Sequence, residues 1–245
     1  GLSFIQRYKD EPFCLYLAHE CPHYPYQGPN DPADRTVGKP EPILGRRKDR
    51  TAAYKEMMES MDTSIDRIVR KINSLGLEKE TFIFFCSDNG PTGPGSNGPL
   101  KGKKGSLWEG GHRVPGIAYW PSKIRPGTVT NETALTMDLL PTLASLAGLS
   151  PPTTLKLDGV DLLPLMVGEQ PLSERSLFWR FKNDCAIRKG PWKLINGESQ
   201  SLFHLDDDIG ETTNIIRKEQ ERGKSLEQEL MNWSRKISVG IERQS

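Results

Sequence analysis

Short apolar runs alternate with amphipathic and polar segments along the first two thirds of the chain. The runs at residues 12–18 (PFCLYLA), 82–86 (FIFFC) and 116–120 (GIAYW) are apolar on both faces, which predicts strands buried between helices. Between the first two runs, apolar residues recur at three- and four-residue steps from Tyr54 to Leu75, which predicts one amphipathic helix. A strand, a helix and a strand in this order indicate an α/β fold with a parallel sheet.

A different pattern begins after Gly168. Three short runs, SLFWRF, CAIRKGPWKLI and SLFHL, are separated by turns and predict antiparallel strands, and a polar stretch with a thin apolar stripe predicts a closing helix. The preceding run TALTMDLLPTLASLAG predicts a helix that ends at Gly148. We therefore expect two domains. Residues 1–168 form an α/β domain with a mixed, mostly parallel sheet flanked by helices, and residues 169–245 form a small α+β subdomain.

The charge balance and the cysteine pattern narrow the possible functions. Lys and Arg number 33 against 32 for Asp and Glu among 245 residues, so there is no basic field of the kind that nucleic acids require. No apolar run reaches the roughly 18 residues needed to span a bilayer. The four cysteines, Cys14, Cys21, Cys86 and Cys185, are too irregularly spaced for a disulfide framework or a zinc site, and Cys14 and Cys86 are expected to be buried thiols. We expect neither nucleic acid nor membrane as a partner.

The predicted strand at residues 82–86 runs directly into the polar sequence SDNG. Ligands of α/β proteins bind beyond the carboxyl ends of the strands, which is where Asp88 and Asn89 lie. A carboxylate together with a carboxamide oxygen suits calcium or magnesium and does not suit zinc. The alternative is that Asp-Asn-Gly is only a turn, because Asn and Gly tolerate the left-handed region, and this stretch taken alone favours the turn.

Two further candidate residues lie in loops that follow predicted strands. His23 lies in CPHYP after the first run, and Lys104 lies in KGKKGSLWEGG after the strand that leads to Asp88. Glycine lets the backbone approach a ligand closely, and lysine supplies a positive charge for an oxyanion. A lone loop histidine is most often a surface residue, so each of these signals is weak when taken singly.

The order of these motifs resembles the second half of a sulfatase of the alkaline phosphatase superfamily, of the arylsulfatase and N-acetylgalactosamine-6-sulfatase type. The motifs are FCLYLAHECPHYP, SDNGP, GSNGPLKGKKGSLWEGGHRVP, MDLLPTLASLAGL, AIRKGPWKLI and LFHLDDDIGETTNI. The resemblance implies that Asp88 and Asn89 are two ligands of a calcium ion, and that His23 and Lys104 bind the sulfate ester and act in catalysis. It also implies an alkaline-phosphatase-like fold, a sulfated small molecule or glycan as partner, and a periplasmic, lysosomal or secreted location.

The same resemblance gives the loop around Lys104 a frame made of Glu109, Gly110, Gly111 and Arg113. It leaves His112 either a neighbour of the substrate or a structural residue, and the structural role is favoured. The family's nucleophile is a formylglycine made in a Cys-x-Pro-Ser-Arg motif, which does not occur in this sequence. We therefore expect the chain to be the C-terminal half of a sulfatase, whose N-terminal half supplies the nucleophile and the other calcium ligands, and to be inactive alone.

Two alternatives remain open at this point. One is a phosphatase or phosphonate hydrolase of the same superfamily, which the loop around Lys104 disfavours. The other is a noncatalytic module that binds sulfated glycans, since the anion contacts would bind such a ligand without any nucleophile. A Cys-x-Pro-Ser-Arg motif encoded in frame upstream of Gly1 would distinguish the enzyme from the binding module.

Overall fold

The computed structural model describes residues 1–33, 43–150 and 154–238 of the chain. These residues divide into two compact units. The first unit contains the described residues up to Ile83 together with Gly93–Gly95 and Tyr119–Lys123, and the second contains the remaining described residues. The domain boundary expected after residue 168 stays a prediction.

The first unit is built on two helices, α1 (Leu2–Tyr8) and α2 (Arg50–Ser74). The α2 helix begins at Asp49, whose side chain accepts a hydrogen bond from the backbone N–H of Ala52 at 3.0 Å, as an N-terminal cap does. It ends before Gly76, whose φ of +71° is a conformation that glycine adopts without strain. The helix predicted from the apolar repeat is therefore confirmed.

The predicted first strand at residues 12–18 is wrong. These residues carry no strand, and half-buried Phe13 and Leu15 alternate with exposed Cys14 and Tyr16. A strand needs a neighbouring strand to pair its backbone N–H and C=O groups, and no strand of the described chain pairs with this segment. The expected burial of the Cys14 thiol is wrong for the same reason.

Two short strands, β1 (Ile83–Cys86) and β2 (Gly116–Tyr119), pair in a two-stranded sheet. Both predicted strands are confirmed in position. Their burial is lower than expected, since β1 is half-buried and Ile117 of β2 is 58% exposed. A larger, mostly parallel sheet around these strands stays a prediction.

Three short helices follow β1 along the chain. They are α3 (Glu109–His112), α4 (Leu139–Leu146), which continues a 3₁₀ turn at Thr136–Asp138, and α5 (Leu163–Met166). Pro141 lies in the first turn of α4, and Gly148 follows its end with a φ of +68°. The helix predicted in this segment is confirmed.

The C-terminal part is an antiparallel sheet with a helix on one face. The strands β3 (Ser176–Phe181), β4 (Asp184–Lys189), β5 (Trp192–Asn196) and β6 (Gln200–His204) pair in chain order, and α6 (Gln220–Ser238) follows them. All three pairings are antiparallel, with Ile187 opposite Leu194 and Leu194 opposite Leu202. The predicted antiparallel strands and closing helix are confirmed.

Each face of this sheet packs against a different part of the second unit. Ile187, Leu194 and Leu202 pack with Leu226 and Leu230 of α6. The opposite face carries Ala186, Ile195 and Phe203, which pack with Leu107 and Trp108 from the segment just before α3. The sheet therefore shares a hydrophobic core with the segment that follows Lys104. None of the described helices is long and apolar enough to cross a bilayer.

Candidate functional site

The Asp88–Asn89 turn lies immediately after β1. Asp88 is exposed and Asn89 is half-buried. The Asn89 side-chain amide donates a hydrogen bond to Asp88 Oδ2, and the Ser87 hydroxyl donates to the Asn89 carbonyl oxygen at 3.1 Å. The amide nitrogen is thus engaged within the turn, which leaves the amide and carboxylate oxygens as the atoms that could meet a cation.

The donor set of this turn fits part of a calcium shell. Calcium takes roughly six to eight oxygen ligands, and the turn offers a carboxylate and a carboxamide oxygen. No group of three or more His, Cys, Asp or Glu side chains is placed to hold a metal ion within residues 1–33, 43–150 and 154–238. Asp88 and Asn89 are therefore compatible with a hard divalent cation but would supply only some of its ligands.

The loop of residues 96–113, called the Lys104 loop below, is held against the Asp88–Asn89 turn by its backbone. The N–H of Gly90 donates to the carbonyl oxygen of Gly111 at 3.0 Å, and the N–H of Lys104 donates to that of Pro91 at 3.2 Å. Lys104 itself is exposed in a turn. The structure thus brings together three of the four residues predicted from the sequence to form the site.

Glycines make this close approach possible. A Cβ atom on Gly90 would lie 1.9 Å from the carbonyl oxygen of Gly110, and one on Gly111 would lie 2.2 Å from that of Ser106. The N–H of Gly110 donates to the carbonyl oxygen of Lys101 at 2.7 Å, so the loop also closes on its own first half. No larger residue fits at these positions without moving backbone.

Beneath the loop lies a buried ionic cluster formed by Glu109, Lys193 and Glu211. Each of the three side chains is at most 1% exposed. Lys193 is the second residue of β5, and its Nζ lies 2.8 Å from Glu109 Oε1 and 2.9 Å from Glu211 Oε1. Glu211 Oε2 accepts the backbone N–H of Glu109 at 2.7 Å. The loop frame predicted around Glu109 is therefore linked to the C-terminal sheet.

The two carboxylates of this cluster respond differently to their burial. Burial disfavours ionisation of Glu109, but the Lys193 ammonium outweighs it, with a further contribution from Arg188, and holds the pKa of Glu109 below its ordinary value. Burial dominates at Glu211 and raises the pKa of that carboxyl despite the same lysine. Glu109 is accordingly the firmly ionised partner of Lys193.

His112 is a structural neighbour of this cluster. Its Nε2 lies 3.3 Å from Lys193 Nζ and 3.2 Å from the carbonyl oxygen of Leu107, and its ring stacks on Trp179 with centroids 4.7 Å apart. Burial, followed by the positive charge of Lys193, lowers the pKa of His112 to about 4. The imidazole is therefore neutral near pH 7, and the structural role favoured from the sequence stays a prediction.

His23 belongs to the first unit and is described with it. The side chain is exposed, its Nδ1 lies 2.8 Å from the carbonyl oxygen of Tyr24, and its ring centroid is 4.2 Å from that of Tyr24. The Cys21–Pro22 and Tyr24–Pro25 peptide bonds on either side of it are cis. Its contact with a sulfate ester stays a prediction, as do the roles of Asp88, Asn89 and Lys104.

Sequence reasoning did not single out Lys193, Glu211 or Phe181. Phe181 ends β3, is 40% exposed, and its ring lies 3.5 Å from where a Cβ on Gly105 would be. The aromatic side chain is therefore beside the turn that carries Lys104. The only signal for Lys193 in the sequence is a lysine in the middle of an apolar strand pattern, WKLI, where a charge requires a buried partner.

Two family profiles and several curated relatives match most of this chain. The family profile described as Sulfatase matches residues 1–149, and the profile described as N-sulphoglucosamine sulphohydrolase, C-terminal, matches residues 103–236. The dog N-acetylgalactosamine-6-sulfatase is 37% identical over 79% of this chain and 36% of its own length. Human arylsulfatase A is 36% identical over 85% of this chain and 45% of its own length. The chain spans less than half the length of each of these relatives.

Solved structures show the same architecture. The crystal structure of Ps i-CgsB is 27% identical, with a TM-score of 0.83 over 95% of this chain and 52% of that chain. The same protein in complex with k-i-k-neocarrahexaose has a TM-score of 0.82 at 28% identity, again over 95% and 52%. A third solved structure is described in connection with the metabolism of multiple glycosaminoglycans by Bacteroides thetaiotaomicron. It has a TM-score of 0.76 at 26% identity, over 94% of this chain and 52% of that chain.

Proposed function

We propose, because this chain belongs to the sulfatase family, that it is the distal half of a sulfuric ester hydrolase acting on an aryl or sugar sulfate. The observation that carries the proposal is the backbone link between the Asp88–Asn89 turn and the Lys104 loop. It holds the side chains of Asp88 and Asn89, which we propose as cation ligands, next to the loop that carries an exposed lysine. The names of the relatives, which include a sugar sulfatase and an arylsulfatase, support this breadth of substrate class.

The chemistry of a sulfate monoester explains why these residue types are needed. The ester already carries a negative charge, so attack by an oxygen nucleophile requires positive charge and hydrogen-bond donors around the sulfate oxygens. Lys104 and His23 would bind those oxygens, and Asp88 and Asn89 would hold calcium as two of its ligands. When bound, calcium would stabilise the negative charge of the reacting groups and of the nucleophile.

The nucleophile itself is assigned to another part of the protein. In this proposal it is a formylglycine in an N-terminal half, which also completes the calcium shell, and the 245-residue chain alone is inactive. An alkaline-phosphatase-like, mostly parallel sheet would then contain β1 and β2. Export to the periplasm, the lysosome or the outside of the cell is proposed on the same family grounds.

Calcium binding can be tested without activity. Titration calorimetry of the purified chain should give weak calcium binding, and Asp88→Ala should weaken it by at least about tenfold, because affinity follows the number of carboxylate charges. Asp207→Ala is the matched control, since Asp207 is a highly exposed carboxylate in the same unit. Equal calcium affinity in wild type and Asp88→Ala would overturn the assignment of this turn.

The enzymatic part needs a second test. Sequencing upstream of Gly1 should reveal an in-frame Cys-x-Pro-Ser-Arg motif, and the joined protein should hydrolyse an aryl sulfate while the 245-residue chain should not. Clear turnover by the purified chain alone would refute the assignment of the nucleophile to another part. Absence of the motif, together with sulfated-glycan binding by the chain, would favour the noncatalytic binding module. The supporting observation for that module is that Phe181 lies beside Gly105, in the turn that carries exposed Lys104.

A further inference from the structure

We propose that Lys193 is a positioning residue for the Lys104 loop, which it fixes to the C-terminal sheet by binding Glu109 and Glu211 at once. The inference rests on the proposed function only where it concerns sulfate. Lys193 lies far from Lys104 in the sequence and does not form part of the predicted contacts to the ester. Its effect on those contacts would pass through the backbone of the loop.

The Lys193 ammonium forms two buried ion pairs in this cluster. Its Nζ donates to Glu109 Oε1 at 2.8 Å and lies 2.9 Å from Glu211 Oε1. His112 Nε2 lies 3.3 Å from the same Nζ. Glu109 and His112 are the first and last residues of α3, at the end of the loop. The buried cation therefore binds the first residue of the helical turn that closes the loop and lies beside its last residue.

Glu211 extends the same attachment to the first half of the loop. Its Oε2 accepts the backbone N–H of Glu109, and its own backbone carbonyl accepts the ammonium of Lys101 at 3.1 Å. Lys101 Nζ also lies 3.7 Å above the centre of the Trp108 ring. The loop is thus fixed by Glu211 at two points, on either side of Lys104.

The backbone of Glu211 shows that this arrangement is maintained against local preference. Its φ is +52°, in the left-handed region that a non-glycine residue rarely adopts, and the residue is fully buried. Such a conformation persists when surrounding contacts determine it, and here those contacts are Lys193, Lys101 and the N–H of Glu109. The residue with the strained backbone, Glu211, is thus the one that pairs with the buried cation beneath the loop.

The route from Lys193 to the candidate site is short and continuous. Glu109 precedes Gly110 and Gly111, whose N–H groups donate within the loop at 2.7 and 2.8 Å. The Gly111 carbonyl accepts the N–H of Gly90, directly after Asn89. Loss of the Lys193 contact should therefore loosen the loop and its junction with the Asp88–Asn89 turn, while the sheet keeps its own backbone pairing.

The test compares amide hydrogen exchange in three variants of the full 245-residue chain. Lys193→Met removes the cation and keeps the length of the side chain. Lys193→Met/Glu109→Gln removes one charge of each sign and so leaves fewer unpaired buried charges. It replaces the single variant in the test if that variant does not fold. Asp138→Asn is the matched control, because Asp138 forms a buried ion pair with Arg175 in the same unit.

The proposal predicts a local effect on exchange. In both Lys193 variants the amides of Gly110 and Gly111 should exchange at least about tenfold faster relative to the amides of Leu194 and Leu202, since local opening precedes global unfolding. In Asp138→Asn this ratio should not rise, because a loss of stability of the whole unit accelerates the sheet amides at least as much as the loop amides. Equal acceleration of loop and sheet amides in the Lys193 variants would show a merely structural role and overturn the proposal.

Binding of inorganic sulfate, followed by the chemical shift of the Lys104 amide, separates the two proposals. Lys104→Ala should abolish the response, and folded Lys193 variants should weaken it severalfold while Asp138→Asn leaves it unchanged. If Lys104→Ala binds sulfate as wild type does, the proposed role of Lys104 fails, and the exchange ratio still decides the role of Lys193. If Lys104→Ala loses binding but the Lys193 variants keep it, positioning by Lys193 is refuted.

Discussion

Replacing Asp138 by Asn should destabilise the second unit strongly. The carboxylate is fully buried at the start of α4. Its Oδ1 accepts from Arg175 Nη1 at 2.7 Å and from the N–H of Val160 at 2.9 Å, and its Oδ2 accepts from the N–H of Leu135 at 2.7 Å. Asparagine has the same shape, but it loses the charge and turns one acceptor into a donor that faces other donors.

The size of the effect follows from the charge that remains. Removing one member of a buried ion pair costs about 3–5 kcal/mol, because the other charge stays buried without a partner. The Arg175 side chain is 18% exposed and can reach water in part, so the lower end, about 3 kcal/mol, applies. That is a large share of the roughly 5–15 kcal/mol by which a domain is stable. The melting temperature should fall by about 6–12 °C.

Urea unfolding followed by circular dichroism at pH 7 measures this free energy. Glu221→Gln is the control, since Glu221 forms a highly exposed pair with Lys224 in α6 and exposed pairs contribute little. A loss below about 1 kcal/mol in Asp138→Asn, with an unchanged dependence on urea, would refute the claim that this ion pair is a buried structural contact.

The same pair predicts a dependence on pH. Burial disfavours the charge of Asp138, but the hydrogen bonds from Arg175 and two backbone N–H groups outweigh it, so the pKa of Asp138 lies below its ordinary value. As the pH falls, the unfolded chain therefore binds a proton at Asp138 at a higher pH than the folded chain does. The stability difference between wild type and Asp138→Asn should be complete above about pH 4 and shrink in stronger acid. A difference that stays constant down to pH about 2 would contradict the shift.

Three other substitutions test different parts of the second unit. Gly110→Ala places a Cβ 2.0 Å from Asn97 Nδ2 and should cost about 1–3 kcal/mol in urea unfolding, whereas Gly116→Ala, with its nearest contact at 3.8 Å, should be tolerated. His112→Asn should flatten the rise of stability with pH between about 4 and 6.5. In this window the unfolded histidine binds a proton and the folded one does not. An unchanged slope of stability against pH would contradict the lowered pKa. Phe181→Ala should weaken binding of an aryl sulfate and leave inorganic sulfate unaffected in calorimetry, because only the aryl ring can contact the exposed phenylalanine; equal losses for both ligands would contradict it.

Local patterns in the sequence predicted local structure well. The apolar repeat of α2, the capping glycine Gly76 and the hairpins of β3–β6 depend on neighbours in sequence, and all of them are confirmed. The run at residues 12–18 has an equally apolar pattern, yet it forms no strand in the described chain. Apolar residues on both faces indicate that a segment is suited to burial, but they do not determine which strands and helices will pack against it. Burial of a strand is therefore the part of the fold that sequence pattern alone predicts least well.

The candidate site likewise contains residues that sequence pattern singled out and residues that it did not. Asp88, Asn89 and Lys104 stood out because each follows a strand in a polar or glycine-rich loop, which is a local feature. Lys193 and Glu211 did not, because their partner Glu109 lies 84 and 102 positions away in the chain. A charged residue within a short strand or loop has no visible partner until the chain is folded. The residues proposed to meet the ligand were thus predictable, and the residues that hold their loop were not.

For the proposed sulfate binding, the exposed position of Lys104 requires the buried contacts that hold its loop. An exposed lysine on a glycine-rich loop loses much conformational entropy when it is held at one oxyanion, so the loop must be ordered by contacts elsewhere. Those contacts are the shared core of Leu107 and Trp108 with the sheet, and the buried attachment of Glu109 to Lys193. The antiparallel sheet carries none of the predicted contacts to sulfate, yet it fixes the loop that does. Substitutions on its inner face should therefore change ligand binding without touching the ligand.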